Sequence, residues 1–373
     1  MRPGLTPSAA RSSAPAPTAV AVGREVAGRG LARPRAAAAL VAVLACVLAA
    51  CGSSALAAPA RGGHVAYVAT DAGLADPGNT LAVVDTADGA VLHPVMTGTR
   101  ASTTASLPSS LAATTDGRDV LAADKGVDVL SVIDTATGTE VGRATVGLEP
   151  DAVAVSPSGS MALVANLLGG TVTPVSLPSL NVGRPVRVGT HPDAVAISPN
   201  GSLALVANFG DGTVTPIALP SLVAGAPVAV GLEPDAVAFS PNGAVALVAD
   251  QQTSTVVPLS VPSLVAGTPI AVGGDPTGIA VDPATGPNGT AYVSAGDGVT
   301  PISLADLSPS ASIPIGTGAE AITLGPGHRH AWVCAQDGTL VELALPAGTV
   351  ERRVSVGGTP VAVVVPPPRA PAG

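Results

Sequence analysis

The residues of this chain best suited to chemistry are carboxylates and amides, and they recur at a fixed interval. Asp151, Asp193 and Asp235 each follow a proline and stand 42 residues apart. Glu149, Glu233 and Asp275 occupy the position before the proline, where the intervening copy has His191 instead. Asn166, Asn208 and Asp250 repeat with the same interval, each closing an apolar segment. Carboxylate and amide oxygens are hard donors, so a convergent set of them attracts a hard cation or a basic partner. The competing role is structural. An aspartate after a proline orders a turn by accepting backbone N–H groups, and repeats copy structural residues faithfully, whereas a single site needs asymmetry.

Asymmetry appears in the stretch GPGHRHAW, where His328 and His330 lie two residues apart, while an enlarged turn in the preceding copy brings Asp282. Two imidazoles and a carboxylate suit a transition metal, but the pattern supplies no third fixed ligand, and the expectation is no metal and no cofactor. The chain has no nucleophile elbow, glycine-rich phosphate loop, HExxH or CxxCH. Six of the 17 basic residues and one of the 26 acidic ones precede Cys51, leaving 11 basic against 25 acidic residues. That balance, with Lys125 the sole lysine, opposes nucleic-acid binding, which needs positive charge against phosphate. Aromatic residues make up 1% of the chain, so the core is built from Val, Leu, Ile and Ala, and stacking on bases or sugars is disfavoured.

The elements that position these residues come from an internal repeat. VGLEPDAVAFSPNGAVALVAD begins at Val230, and close versions begin at Val146 and Val188. The prolines of the phrase are Pro108, Pro150, Pro192, Pro234 and Pro276, and the register continues through Ala319 to Pro360, which makes seven starts. Within a unit, AVAVS and MALVAN alternate as strands do and are joined by SPSG, where Gly159 accepts positive φ cheaply. TVTPVS and a fourth segment such as GRPVRVG complete a four-stranded antiparallel meander. A period near 40 residues with four strands marks a β-propeller blade. The last unit retains only its first strand, 361–365, while the N-terminal segments starting at His64, Asn79 and Ala90 supply the other three. The expected fold is all-β: a seven-bladed propeller of four-stranded antiparallel blades, closed by N-terminal and C-terminal strands sharing one blade. Alternation sends Val153 and Val155 toward one neighbouring blade and Ala152 and Ala154 toward the other.

Over residues 64–365 the units resemble YVTN-type propeller repeats, with ALVAN in place of YVAN because Leu163, Leu205 and Leu247 replace the tyrosine; Tyr67 and Tyr292 retain it. A second departure is proline in the third strand at Pro174, Pro216, Pro258 and Pro301, where Val132 stands in the first copy. Proline removes a ladder donor, so a bulge or an unpaired carbonyl is expected there. The resemblance implies a fold that serves many roles. It also implies that the loops preceding the first strand and those joining the second and third strands share one face. That would gather Glu149, Asp151, Asn166, His191, Asp193, Asn208, Glu233, Asp235, Asp250 and Asp275 around a channel mouth. Two enlarged loops, 70–79 and 99–107, fall on the same face of adjacent blades and are expected to form a flap beside it. Lactonase-type propellers, similar in shape, hold a divalent cation in the channel by carboxylates and amides, and Glu149, Asn166, Asn208 and Asp250 could be cast in those roles. Streptogramin-lyase-type propellers use a histidine and a metal, and His191 is the lone histidine expected at this mouth.

The N-terminal segment reads as an address. Residues 36–50 form an apolar run of 15 preceded by arginines, which suits an export signal better than a spanning helix of about 20 residues. Leu48-Ala49-Ala50-Cys51 is similar to a bacterial lipobox, which implies lipidation of Cys51; the other possibility is a secretory signal cut later, at 55–60, discarding Cys51. Cys334 is left alone and reads as a small buried hydrophobe. The expected organisation is a signal peptide (1–50), a flexible tether (51–63), the propeller (64–365) and a proline-rich tail (366–373). The expected function is that of a monomeric, membrane-anchored, non-catalytic binding or scaffold module of a bacterial envelope, engaging an envelope protein or small ligand. The alternative is a cation-dependent envelope enzyme of lactonase or lyase type.

Overall fold

Short runs of Val, Leu, Ile and Ala alternating with small polar residues favour half-buried strands, and the turns between them carry glycine where φ is positive, as at Gly159 (φ +69°). The computed structural model describes residues 65–71, 80–92, 94–97, 107–285 and 289–370. The expected export signal, Cys51, the expected tether, and most of the loops 70–79 and 99–107 lie outside these residues. Among the described residues, no helix is long and apolar enough to cross a membrane.

The strands assemble into seven antiparallel sheets. Six are contiguous in sequence, here blades 1 to 6, spanning residues 108–145, 150–187, 192–229, 234–271, 276–314 and 319–355. The seventh joins the chain ends. Its innermost strand is the C-terminal segment Thr359–Val364, followed outward by Val65–Asp71, Thr80–Asp85 and Val95–Met96. Tyr67 registers with Val364, Val68 with Val363 and Ala69 with Ala362. The Thr359–Val364 strand also touches the inner strands of blades 6 and 1, so the inner strands form an unbroken ring. The seven-bladed propeller and its closure between the two ends are therefore as expected from the repeat.

Seven apolar clusters fill the interfaces between neighbouring blades. Val153 and Val155 pack against Leu121 and Ala123 of blade 1, whereas Ala152 and Ala154 face Val195 and Ile197 of blade 3. At the interface of blades 2 and 3, small side chains thus meet larger ones, which lets the inner strands approach closely. Each buried valine contributes about 1.5 kcal/mol or more. Trp332 and Tyr67, among the largest fully buried side chains, stand on the two sides of the closing blade.

The third-strand prolines bring the expected bulge, in the pairing with the outer strand: in blade 3, Val214 registers with Val228 but Ile217 with Ala224, which leaves one extra residue on the outer side. Pro174, Pro216, Pro258 and Pro301 stay in regular register with the second strand. Their carbonyls are not left unpaired, since each accepts an outer-segment N–H at 2.8 Å, from Gly183, Gly225, Gly267 and Ser310. The interruption falls one strand further out. In blade 3, for instance, the outer strand is split into Val223–Ala224 and Val228–Ala229, because a proline nitrogen has no proton to offer it. Where Val132 and Glu342 occupy this position, the fourth strands Thr139–Thr145 and Thr349–Ser355 run whole through the same one-residue bulge.

Candidate functional site

Each first strand enters at its proline, or at Ala319 in blade 6, and is immediately bulged. In blade 2, Pro150 registers with Asn166 and Ala152 with Ala165, which leaves Asp151 as the extra residue. The same shift singles out Asp193, Asp235, Ser109 and Thr277, and in blade 6 the pair Glu320 and Ala321. A bulge re-aims a side chain. Here the extra residues turn toward the axis and line a mouth cavity of about 520 Å³.

This lining is not uniform. Asp151, Asp193 and Asp235 stand on three consecutive blades, and Asp193 is hydrogen-bonded to both of the others. Carboxyls can bond to one another only when protons are shared among them. Burial, then the neighbouring carboxyl of Asp193, pushes Asp151 up to about 7. Burial, then Asp235, pushes Asp193 up to about 7. Burial also raises Asp235. At one end, Lys125 brings Nζ to 3.3 Å from Asp151 Oδ2 and 4.0 Å from Glu149 Oε2. Beyond the other end, Glu320 accepts Gln336 Nε2 at 2.6 Å. The remaining arc is nearly neutral. Ser109 Oγ donates to the Pro150 carbonyl at 3.0 Å, Thr277 Oγ1 donates to the Glu320 carbonyl at 2.9 Å, and Val361 fills the closing blade.

The other sequence-predicted residues are distributed differently. Asn166, Asn208 and Asp250 are fully buried and do not line the cavity. Asn208 Oδ1 accepts Gly189 N–H at 3.0 Å, and its Nδ2 donates to Thr213 Oγ1 at 3.0 Å and Thr215 Oγ1 at 2.9 Å. Asn166 repeats the pattern with Gly147, Thr171 and Thr173. Blade 4 has Val257 at the inner hydroxyl position, where an amide would find no acceptor. Asp250 stands there and accepts Leu232 N–H at 2.8 Å and Glu233 N–H at 3.1 Å. These residues are staples that tie the incoming loop to its own blade, and the repeat's glycine leaves room for them: a Cβ on Gly147 would lie 2.5 Å from Asn166 Cγ. Asp124 is the blade 1 counterpart; burial pushes it up to about 7 although Ser131 donates to it.

Glu233 is half-buried and accepts Gln252 Nε2 at 3.0 Å. Asp275 and His191 are exposed and stand outside the cavity lining. The ten residues expected at one mouth therefore divide into an axial set (Asp151, Asp193, Asp235), a buried set (Asn166, Asn208, Asp250) and a peripheral set. Sequence reasoning missed Lys125, Glu320, Ser109 and Thr277. Counting 42 residues either way from the axial aspartates reaches Ser109 and Thr277, while Glu320 is displaced by one residue in a copy that lost its proline. Thr70 and Leu107, which border the enlarged loops, line the cavity. Cys334 is free and buried, and burial raises its thiol well above the ordinary range.

The fold and its mouth define a seven-bladed β-propeller with an acidic, one-sided axial opening. No family model and no curated protein matches the chain. Solved structures do resemble it. A protein of unknown function from Desulfotomaculum acetoxidans matches with a TM-score of 0.70 and 17% identity, covering 82% of this chain and 99% of that one. A candidate 6-phosphogluconolactonase from Bacteroides uniformis gives a TM-score of 0.66 at 17% identity, covering 82% of this chain and 100% of the other. Hydrazine synthase of Kuenenia stuttgartiensis gives 0.61 at 17% identity, covering 75% and 90%. At this identity the likeness concerns the fold alone.

Proposed function

We propose that this chain is a YVTN-like propeller lipoprotein, held at the outer face of a bacterial cytoplasmic membrane through Cys51, and that it works as a non-catalytic binding module. Its ligand is a cationic group, the ammonium or guanidinium of an envelope partner or small molecule, received at the mouth of the channel. The observation that carries this is the arc of Asp151, Asp193 and Asp235 with the ammonium of Lys125 already seated at its first member. A desolvated, proton-sharing row of carboxyls gains most from a ligand that brings both positive charge and N–H donors.

The test is fluorescence anisotropy of a labelled lysine- and arginine-rich peptide titrated with the full-length chain in detergent. The combined Asp193→Asn and Asp235→Asn variant should bind at least about tenfold more weakly, as loss of charge-assisted hydrogen bonds implies. Equal binding by both proteins would refute the cationic ligand. Radiolabelled palmitate incorporated by the parent and absent from Cys51→Ala would support the anchor.

The alternative, a cation-dependent enzyme of lactonase or lyase type, is favoured by one observation: Asp151 and Asp193, both near 7, lie in the range useful for general acid–base catalysis. Against it, the axial carboxyls form a row instead of a cage. Among the described residues, the one group that gathers three metal-capable atoms within 4.8 Å of one another lies elsewhere. Lactone hydrolysis by the parent that is lost on Asp193→Asn would reverse this preference.

A further inference from the structure

We propose that His330, Glu342 and Glu351 form a binding site for a divalent transition-metal ion, zinc foremost, on the flank of blade 6 and apart from the channel. The three residues belong to three successive strands, His330–Ala335, Thr339–Ala344 and Thr349–Ser355. Regular alternation would not place Glu351 beside Glu342. The bulge does so: Glu342 registers with Arg352 and Leu343 with Val350, which leaves Glu351 as the extra residue.

The resulting geometry suits an ion. His330 Nδ1 lies 3.1 Å from Glu351 Oε2 and 3.5 Å from Glu342 Oε1, and the three ligand atoms fall within 4.8 Å of one another. A tetrahedral zinc bound at about 2.1 Å holds its ligand atoms about 3.4 Å apart. Glu342 forms the floor, its side chain only 5% exposed. His330 Nδ1 is buried without a hydrogen bond. A cation placed between this nitrogen and the two carboxylate oxygens that face it is ligated by all three at once. Arg352 Nη2 stands 3.0 Å from Glu342 Oε2, which fixes the carboxylate and leaves Oε1 facing the histidine. His330 and Glu351 are 39% and 44% exposed, so water can complete the coordination. The two histidines of the His-x-His stretch separate: His328 Nδ1 faces Asp282 Oδ1 of the neighbouring blade at 3.7 Å and takes no part.

The experiment is isothermal titration of zinc chloride into the untagged full-length chain, stripped with chelator and kept in detergent. The parent should bind one ion per chain, and binding should weaken at least about tenfold in His330→Ala and in Glu351→Gln, both half-exposed positions that tolerate change. His328→Ala should bind like the parent. Cobalt(II) in place of zinc should give the visible absorption of a low-coordinate ion, lost in the same two variants. Absence of zinc heat with the folded parent would overturn the site, as would binding that survives both variants or that depends on His328. Circular dichroism separates loss of binding from loss of fold, and Glu351→Gln carries the decision if His330→Ala unfolds.

Discussion

Lys125 Nζ of blade 1 lies 3.3 Å from Asp151 Oδ2 of blade 2, which puts the chain's sole lysine against the first of three linked carboxyls. Asp151 is protonated well below pH 7 and ionised above it, so the ammonium has a full counter-charge only at alkaline pH. Lys125→Met is therefore expected to lower the melting temperature more at pH 8 than at pH 5. Equal losses at both values would show that the lysine acts through packing alone.

The linked carboxyls also set the pH dependence of the fold. A carboxyl whose folded pKa stands above its unfolded value is most favourable to the native state while protonated. The unfolded chain ionises from about pH 4, so stability falls between about pH 4 and pH 7 and levels off above. Asp151, Asp193 and Asp124, each near 7, all push in this direction. Asp193→Asn has no proton to lose and should flatten the profile, raising stability at pH 8 by about 1 kcal/mol, roughly 2–4 °C in melting temperature. Thermal melts across pH 4 to 9 provide the check.

Closure has its own reporter. Trp332, the chain's one tryptophan, is 1% exposed and packs with Val68, Val84 and Val363 where blade 6 meets the closing blade. Deleting residues 359–373 should shift its emission to longer wavelength and broaden the melt, because the blade at the termini loses its innermost strand. Trp332→Ala should cost about 3–5 kcal/mol while leaving a cooperative transition.

The buried amides predict a purely structural phenotype. Asn208→Ala abandons a backbone N–H and two threonine hydroxyls and should cost about 1–3 kcal/mol. Chemical denaturation measures that loss, and ligand binding at the mouth should be unchanged in the folded fraction.

The C-terminal tail continues past the closing strand and fastens to blade 1, where Arg369 Nη2 meets Asp134 Oδ2 at 3.0 Å and Ala370 N–H donates to the Asp116 carbonyl at 2.9 Å. Beneath it, Gly117 has φ +67°, and a Cβ there would fall 2.1 Å from the Pro367 carbonyl oxygen. Gly273 has φ +75° with nothing within 4 Å. Both Gly→Ala changes carry the left-handed penalty of about 1 kcal/mol. Only Gly117→Ala should also release the tail, seen as faster carboxypeptidase trimming.

The blades were legible because proline and glycine mark each copy at the same spacing, and the two ends complement each other strand for strand. The axial aspartates were legible for the same reason. What escaped was the division of polar residues between axis and interior. Asp151 and Asn166 look equally suited to a mouth in sequence, yet a bulge turns one to the channel while a glycine opposite the other buries it. Lys125 escaped because it stands in a loop at a position where no other copy has a lysine, and Glu320 because its copy shifts by one residue. Glu351 is the extra residue of a bulge between the third and fourth strands, a consequence of strand pairing that no local pattern announces.

The fate of the outermost strands bears on how such wheels behave when concentrated. Where that strand is continuous, in blades 1 and 6, it carries Glu140, Arg143, Glu351, Arg352 and Arg353. Where it is apolar, with Val223 and Val265 more than 60% exposed, it is cut into two-residue pieces. Uninterrupted rows of free amide groups invite another molecule to add on, and charge and interruption are the two usual deterrents to such aggregation. In these four blades the rim uses one or the other, so near-identical copies of a sticky sheet can be written side by side without presenting a long bare edge.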